Sequence, residues 1–299
     1  MQTTPNTHAV ISIASRQHSL SAVMWNAAFE RLGLDRFHWP QEVEAEDIRD
    51  AVAGVRSLGF IGAVISVPHK ETIVRQRLLD HYTEEVMAIG AVNTITRQRT
   101  GNGRIVLTGH NTDWLGAVRA LSTVTPLRDK RIAILGAGGL SRAITYGLLR
   151  EGARVDIFNR TLQRGQEVAD RFSALFPKRP PVRARSLEEL GQTTGKYQVL
   201  VNATSVGYGT SESPVSADIL RSIGEPSEVV VMDGVVMPVR TVFLGHAATA
   251  GHVIIPGYQM LLDQAGEQFK LFTGQEAPMD CMRAALLQGV ANINAPNRA

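Results

Sequence analysis

The sequence predicts an α/β fold in two domains, and three observations carry that expectation. Strand-like apolar runs alternate with helical patterns through most of the chain, as parallel strands joined by crossover helices do. With 299 residues, 44% apolar and 20% charged, the chain can bury a large core and divide into two units. The alternation also breaks around residues 91–113 and starts afresh at Arg131, beyond Pro126 and the charged "RDK". A boundary is therefore expected in 115–126.

Taken in order, "HAVISI" reads as a strand and "AVMWNAAFERL" as a helix closed by Gly33 in the left-handed position. In "EDIRDAVAGVRSL", Ile48, Val52, Val55 and Leu58 recur at helical spacing, and Gly59 ends the pattern before the strand "FIGAVISV", which should stop at Pro68. Two strand-like segments flank "TGNG", whose Asn102 and Gly103 suit the positive φ angles of a hairpin turn. "WLGAVRALSTV" is a connecting helix, the second α/β series runs to about Ile255, and "PGYQMLLDQAGEQFKLF" and "PMDCMRAALLQGV" are helical. No internal repeat of 20 to 50 residues is present.

Composition excludes several classes of function. A formal charge of +3 with only 6% aromatic residues is too little, and too scattered, for a nucleic-acid surface. The basic stretch "PKRPPVRARS" is expected to be solvated. No apolar run reaches the roughly 18 residues of a membrane span, and the start lacks the pattern of an export signal. The single cysteine, Cys281, rules out an internal disulfide and a multi-thiolate metal site. A cytoplasmic protein without membrane or nucleic-acid partners, and without a metal, is expected; monomer and homodimer both stay open.

The most informative stretch is "RIAILGAGGLSRAITYGLLREGARVDIFNRT", residues 131–161. A buried strand meets Gly136, Ala137, Gly138 and Gly139, a helix follows to about Gly152, and a second strand ends at Phe158. Glycines permit the sharp turn and let backbone N–H groups approach a pyrophosphate at the positive end of the helix. The third fingerprint glycine is replaced by Ser141, yet strand, turn, helix and strand are in the required order, so a Rossmann-type dinucleotide site is expected. "GLSRA" imitates a hydrolase nucleophile elbow, but Ala143 replaces its last glycine and that reading is rejected. At the tip of the second strand, where an NAD site carries an acid, stand Asn159, Arg160 and Thr161, with Arg164 beyond them. Two guanidinium groups suit the 2′-phosphate of NADP; the nearby acid, Asp156, lies inside the strand.

In the first half, polar residues sit just beyond apolar strands, where open α/β sheets collect ligands. Ser19 and Ser21 can bond a carboxylate, and Ser21 can equally cap a helix starting at Ala22. "SVPHK" supplies Ser66 and Lys70, "GAVNT" supplies Asn93, and "GHNTD" supplies Asp113.

Through "HSLS", "SVPHK", "GAVNT", "GHNTDWLG", "GAGGLSRA", "NRT", "NATSVG" and "MLLDQ", in that order, the chain resembles the shikimate/quinate dehydrogenase family over almost its whole length. The resemblance implies an enzyme that interconverts 3-dehydroshikimate and shikimate, or dehydroquinate and quinate, with NADP. It implies Lys70 and Asp113 as the catalytic pair, Ser19, Ser21, Ser66, Asn93 and Gln264 as substrate-binding residues, and residues 1–115 with 255–299 as the substrate domain. It implies residues 116–254 as the NADP domain. There the cofactor contacts are Gly136, Ala137, Gly138, Gly139, Asn159, Arg160, Thr161, Arg164, Thr204 of the "NATSVG" loop, and Gly257. Reducing a ketone builds negative charge on oxygen, which a lysine can stabilise and protonate. Lys70 is therefore expected chiefly as proton donor, held by Asp113.

Several positions depart from the family pattern. The first loop reads "IASRQHSLSA" where the family has Gly-x-Pro before the serines, and Ser66 replaces a more common threonine. Val236 stands where a tyrosine is usual, Gln259 where a glycine is usual, and Trp25 where a smaller ring is common. These changes admit two alternatives: a paralogue with another cyclic hydroxy-acid substrate, or a non-catalytic NADP-binding sensor. A glutamyl-tRNA-reductase type of chemistry would need a reactive cysteine, and Cys281 sits in a terminal amphipathic helix, expected as packing.

Overall fold

A computed structural model describes residues 4, 6–15, 20–193 and 195–294. Its elements in chain order are β1 (His8–Ala14), α1 (Leu20–Arg31), β2 (Arg36–Glu42), α2 (Ile48–Ser57), β3 (Gly62–Ile65), α3 (His69–Arg75), β4 (His81–Tyr82), α4 (Glu84–Ile89), β5 (Thr94–Arg99), β6 (Ile105–His110) and α5 (Asp113–Ser122). There follow β7 (Arg131–Leu135), α6 (Gly139–Arg150), β8 (Arg154–Phe158), α7 (Leu162–Leu175), β9 (Arg183–Arg185), α8 (Leu187–Leu190), β10 (Val199–Asn202), α9 (Ala217–Ser222), β11 (Val230–Asp233), α10 (Val242–Thr249), β12 (Val253–Ile255), α11 (Gly257–Thr273) and α12 (Met279–Asn294). Two compact units divide the chain, Met1–Thr112 with Gln264–Ala299, and Asp113–Asp263. Among the described residues no helix is long and apolar enough to cross a membrane.

The first unit holds a mixed sheet in the order β2-β1-β3-β5-β6-β4. Strands β2, β1 and β3 are parallel, and β5 and β6 form an antiparallel hairpin beside β3. The hairpin turn takes its positive φ at Gly103 alone, so Asn102 does not adopt the left-handed conformation the sequence suggested. Instead its side chain accepts a bond from Arg104 N (3.2 Å) and one from Thr100 Oγ1 (2.5 Å), bracing the turn. Strand β3 is shorter than "FIGAVISV", ending at Ile65. Ile48, Val52 and Val55 pack on the sheet with Ile11, Ile65 and Ile95. Leu58, expected on the same stripe, is 72% exposed because α2 ends at Ser57. Strand β2, "RFHWPQE", alternates against its own burial, with Trp39 exposed and His38 buried, and holds Pro40, which an edge strand tolerates since one side of it needs no ladder donors.

The second unit holds a parallel sheet in the order β12-β11-β10-β7-β8-β9. The strand order reverses between β7 and β10, the crevice at which doubly wound sheets bind dinucleotides. The central strands read as near-continuous apolar runs because both faces are covered, with Ala133, Leu135, Leu200, Val231 and Phe243 buried in one cluster. Residues 255–263 fall with this unit, whereas the sequence placed them in the first. The start of α11 packs on the turn after β11, where a Cβ at Gly257 would lie 2.3 Å from Val235 O. Asp113, Trp114 and Leu115 also move to it. The reason is packing of α5 on α6: a Cβ at Gly147 would lie 2.8 Å from Val118 Cγ2 and 3.1 Å from Trp114 O, so glycine permits the close approach. Trp114 also stacks edge-on against Tyr146.

The "PKRPPVRARS" stretch is not wholly solvated. It supplies β9, and Arg185 Nε lies 3.4 Å from the buried Asp156 carboxylate while its Nη1 reaches Glu189 at 3.1 Å. Tyr197 donates its hydroxyl to Asp156 at 2.6 Å, and burial followed by that carboxylate pushes the phenol well above its ordinary value.

Candidate active site

In the second unit the site is built from backbone. Gly136 takes φ +105°, and a Cβ there would sit 3.0 Å from Thr204 Cγ2 and 3.2 Å from Ala203 O, so conformation and space both demand glycine. Its N–H donates to Phe158 O (2.8 Å), tying the turn to β8. Gly138 is the N-cap of α6, and a Cβ there would meet nothing within 4 Å. Ala137 and Gly138 line a cavity at the N-terminal end of α6, and a helix N-terminus with unbonded amides suits a pyrophosphate.

Beyond β8, a cavity of about 150 Å³ is lined by Ala137, Gly138, Asn159, Arg160, Thr161 and Arg164. Asn159 and Arg160 also line a larger cavity of about 550 Å³, with Gly136, Thr204, Ser205 and Val206 among its other walls. Both arginines are exposed, and Asn159 Nδ2 braces their loop by donating to Thr161 O at 2.7 Å. Asp156 turns instead to Tyr197 and Arg185, which leaves Arg160 rather than a carboxylate at the strand tip. Gly257 lines neither cavity. A Cβ on it would be 2.3 Å from Val235 O, so the first turn of α11 requires glycine for packing.

In the first unit the site is built from buried side chains. Lys70 lies in the first turn of α3, and its carbonyl accepts from Val92 N at 2.9 Å, which fixes it beside the "AVN" segment. His69, 1% exposed, anchors the same turn through Nε2 to Val43 O at 2.9 Å. Ser66 N donates to Ile13 O (2.9 Å), and its carbonyl accepts from His69 N (3.0 Å).

Asn93, 1% exposed, is the centre of the arrangement. Its Nδ2 donates to Thr112 Oγ1 (2.9 Å), its Oδ1 accepts from Thr112 N (2.8 Å) and Thr94 Oγ1 (2.8 Å), and its carbonyl accepts from Ile65 N (2.8 Å). The residue before Asp113 is therefore held from both sides. Asp113 is the first residue of α5 and 2% exposed, where the positive end of the helix favours a carboxylate.

Gln264 is half-buried on α11, and its Oε1 has no hydrogen-bond partner among the described residues. Four residues on, Gln268 donates to Thr94 Oγ1 (3.0 Å) and to Asn93 O (3.4 Å). The sequence reading missed Gln268 and Thr112; helical spacing from Gln264 was the available signal for the first. Ser21 lies inside the first turn of α1, which begins at Leu20, so it is not the N-cap considered from sequence. Ser19 lies outside the described residues.

Trp25, 1% exposed, is core, packed against Phe29, His38, Phe269 and Phe272. Gln259 donates to Asp263 at 3.0 Å on the same helix, and Val236 is half-buried beyond β11. Cys281 Sγ faces Ala27 O at 3.5 Å, a packing contact between α12 and α1.

Strand order, glycine turn and helix N-terminus define a two-domain α/β protein with a dinucleotide-binding unit. Residues 14–95 match the shikimate dehydrogenase substrate binding domain, 119–215 match shikimate / quinate 5-dehydrogenase, and 257–287 match the shikimate 5′-dehydrogenase C-terminal domain. The chain is 38% identical over 284 residues to a shikimate dehydrogenase (NADP(+)) of Thermococcus kodakarensis, covering 95% of this chain and 97% of the relative. It is similar to a crystal structure of a shikimate dehydrogenase in complex with NADP+, with TM-score 0.87, 29% identity and coverage of 97% and 98%. It also resembles the Thermus thermophilus shikimate 5-dehydrogenase in complex with NADP(H) and shikimate, with TM-score 0.80, 32% identity and coverage of 94% and 99%. The chain belongs to the shikimate/quinate dehydrogenase family.

Proposed function

We propose that the protein is an NADP-dependent oxidoreductase that interconverts 3-dehydroshikimate and shikimate. The observation that carries the cofactor is the pairing of a glycine-only turn with a cavity lined by Arg160 and Arg164, while the neighbouring acid, Asp156, is engaged elsewhere. The residues fit the group: Gly136 and Gly138 clear space for a pyrophosphate, α6 offers its amides, and the two guanidinium groups take the 2′-phosphate. NADPH, when bound, supplies the reducing equivalent.

The rest of the chemistry belongs to the first-unit residues and Asp113. Lys70 meets the carbonyl oxygen as negative charge builds there and gives it a proton; in the reverse direction it takes the proton from the hydroxyl. Asp113 orients that ammonium group and a ring hydroxyl. Ser19 and Ser21 bind the acid's carboxylate, and Ser66, Asn93 and Gln264 bind ring hydroxyls, a set whose unmet bonds reject analogues lacking those groups. The substrate unit is then residues 1–112 with 264–299, and the NADP unit is residues 113–263, which also carries Asp113.

Val236 favours a second reading of the substrate, quinate or a related cyclic hydroxy acid, since a valine there offers no hydroxyl to the ring. The test is hydride transfer followed by cofactor absorbance, with shikimate and quinate each paired with NADP. Turnover of shikimate supports the proposal, a large preference for quinate moves the protein to the second reading, and turnover of neither acid overturns both.

A further inference from the structure

The NADP unit contains a buried carboxylate that none of the site residues above includes. Asp233, at the end of β11, is fully buried. Its Oδ1 accepts from Asn202 Nδ2 and from Val235 N, each at 2.9 Å, and its Oδ2 accepts from Thr241 Oγ1 at 2.6 Å.

Each of these partners acts as a donor. A backbone N–H only donates. Thr241 Oγ1 already accepts the N-cap bond from Leu244 N (3.2 Å), which leaves its own proton for Asp233. The orientation of the Asn202 amide is fixed independently, because its Oδ1 accepts from Thr204 N (3.0 Å) and Thr204 Oγ1 (2.6 Å). Three donors and no acceptor suit a carboxylate and oppose a neutral carboxyl or an amide. Burial pulls the other way and raises the acid above its ordinary value, while the bonds from Thr241, Val235 and Asn202 lower it.

From Asp233 the connections run to the wall of the larger cavity. Asn202 Nδ2 donates to Val206 O (3.2 Å) as well as to Asp233, and Thr204 Oγ1 accepts from Val206 N (3.1 Å). Thr204, Ser205 and Val206 line the same cavity as Gly136 and Arg160. The methyl group of Thr204 also fills the space beside Gly136, where a Cβ would lie 3.0 Å away. One carboxylate thus fixes the loop after β10, the turn after β11 and the start of α10.

We propose that Asp233 is a positioning residue for the cofactor: through Asn202 it holds the 202–207 loop in the shape that receives the dinucleotide, and through Thr241, whose Cγ2 would lie 3.5 Å from a Cβ at Gly207, it braces that loop from α10. The inference rests on reading that cavity as the NADP site. Asp233→Asn is nearly isosteric, yet its amide turns a donor toward either Thr241 Oγ1 or the pair Asn202 and Val235. A partly satisfied buried network is costly and rearranges.

The experiment is titration of NADPH fluorescence against wild type, Asp233→Asn, Thr241→Val and Thr241→Ser, with steady-state constants for cofactor and acid on the same preparations. Asp233→Asn is expected to weaken NADPH binding about tenfold, the effect of losing one charge-assisted bond, while the KM of the acid stays unchanged. Thr241→Val should move in the same direction, and Thr241→Ser, which keeps the hydroxyl, should restore binding. A lowered Tm with cofactor binding intact in both Asp233→Asn and Thr241→Val overturns the proposal and leaves a purely structural aspartate. If Asp233→Asn fails to fold, Thr241→Val alone decides. A wild type that binds no NADPH overturns the cofactor reading first, and this inference with it.

Discussion

The two units form their candidate sites by different means. In the second, backbone conformation makes the site: Gly136 at positive φ, the amides opening α6, and the reversal of strand order between β7 and β10. In the first, a set of buried side chains is wired together, with Asn93 bonded to Thr112 and Thr94, and Gln268 bonded to Asn93 and Thr94. A glycine turn tolerates side-chain change except where Cβ has no room, whereas a wired network, around Asn93 in the first unit or Asp233 in the second, fails when any member is cut. Substitutions at the two kinds of site should therefore fail in different ways.

The largest separation is expected at Lys70. Lys70→Ala should lower kcat about a thousandfold, within the range for removing a general acid, with NADPH affinity unchanged by fluorescence titration. Near wild-type turnover would remove Lys70 from the proton step.

His38 offers a pH-dependent contrast confined to the first unit. It is 2% exposed against Trp25, its ring nitrogens have no partner among the described residues, and burial pulls its pKa from 6.5 down to about 4. Below pH 6.5 the unfolded chain binds a proton that the folded chain refuses. Stability from this group is complete above that pH and is lost as pH falls toward 4, amounting to roughly 3 kcal/mol. Thermal unfolding between those limits should show the slope, and His38→Phe should flatten it; an equal slope in both proteins contradicts the assignment.

The third expectation sharpens the second unit's role. The double variant Arg160→Ala with Arg164→Ala should cut the preference for NADP over NAD by about thirtyfold, the loss expected from charge-assisted bonds to one phosphate. The KM for the acid should not move. An unchanged ratio would place the 2′-phosphate elsewhere.

The smallest effect is mechanical. Gly147→Ala puts a methyl group 2.8 Å from Val118 Cγ2 and 3.1 Å from Trp114 O, where α5 meets α6. Overpacking there should lower stability by about 1 to 2 kcal/mol, read as a drop in Tm. Because α5 begins at Asp113, kcat should fall with it while NADPH affinity holds. A variant as stable as wild type would show that the helices can part freely.

The same contrast explains what the sequence disclosed. The glycine turn was legible because local spacing states it: strand, Gly136 to Gly139, helix, strand. The tail helices and the hairpin around Gly103 were legible for similar reasons of period and turn chemistry. Strand β2 was not, since in "RFHWPQE" it is His38 that is buried and Trp39 that is exposed, and its place at the sheet edge is a tertiary fact. Leu58 kept the helical period but fell beyond the end of α2. The first-unit residues could be listed from their places at strand ends, but their roles, and Gln264 altogether, came only through family resemblance, because Asn93 and Thr112 are nineteen positions apart and meet only in the fold. Asp233 was hidden in an ordinary strand end; nothing in "DGVVMP" announces three donors converging on one carboxylate.

The central claim is that a substrate-binding unit and an NADP-binding unit serve one reaction on a cyclic hydroxy acid. The most direct measurement is kcat/KM for shikimate with NADP and with NAD on the purified protein. Clear turnover with a strong preference for NADP is predicted, and preference for NAD, or no turnover with either cofactor, would contradict it.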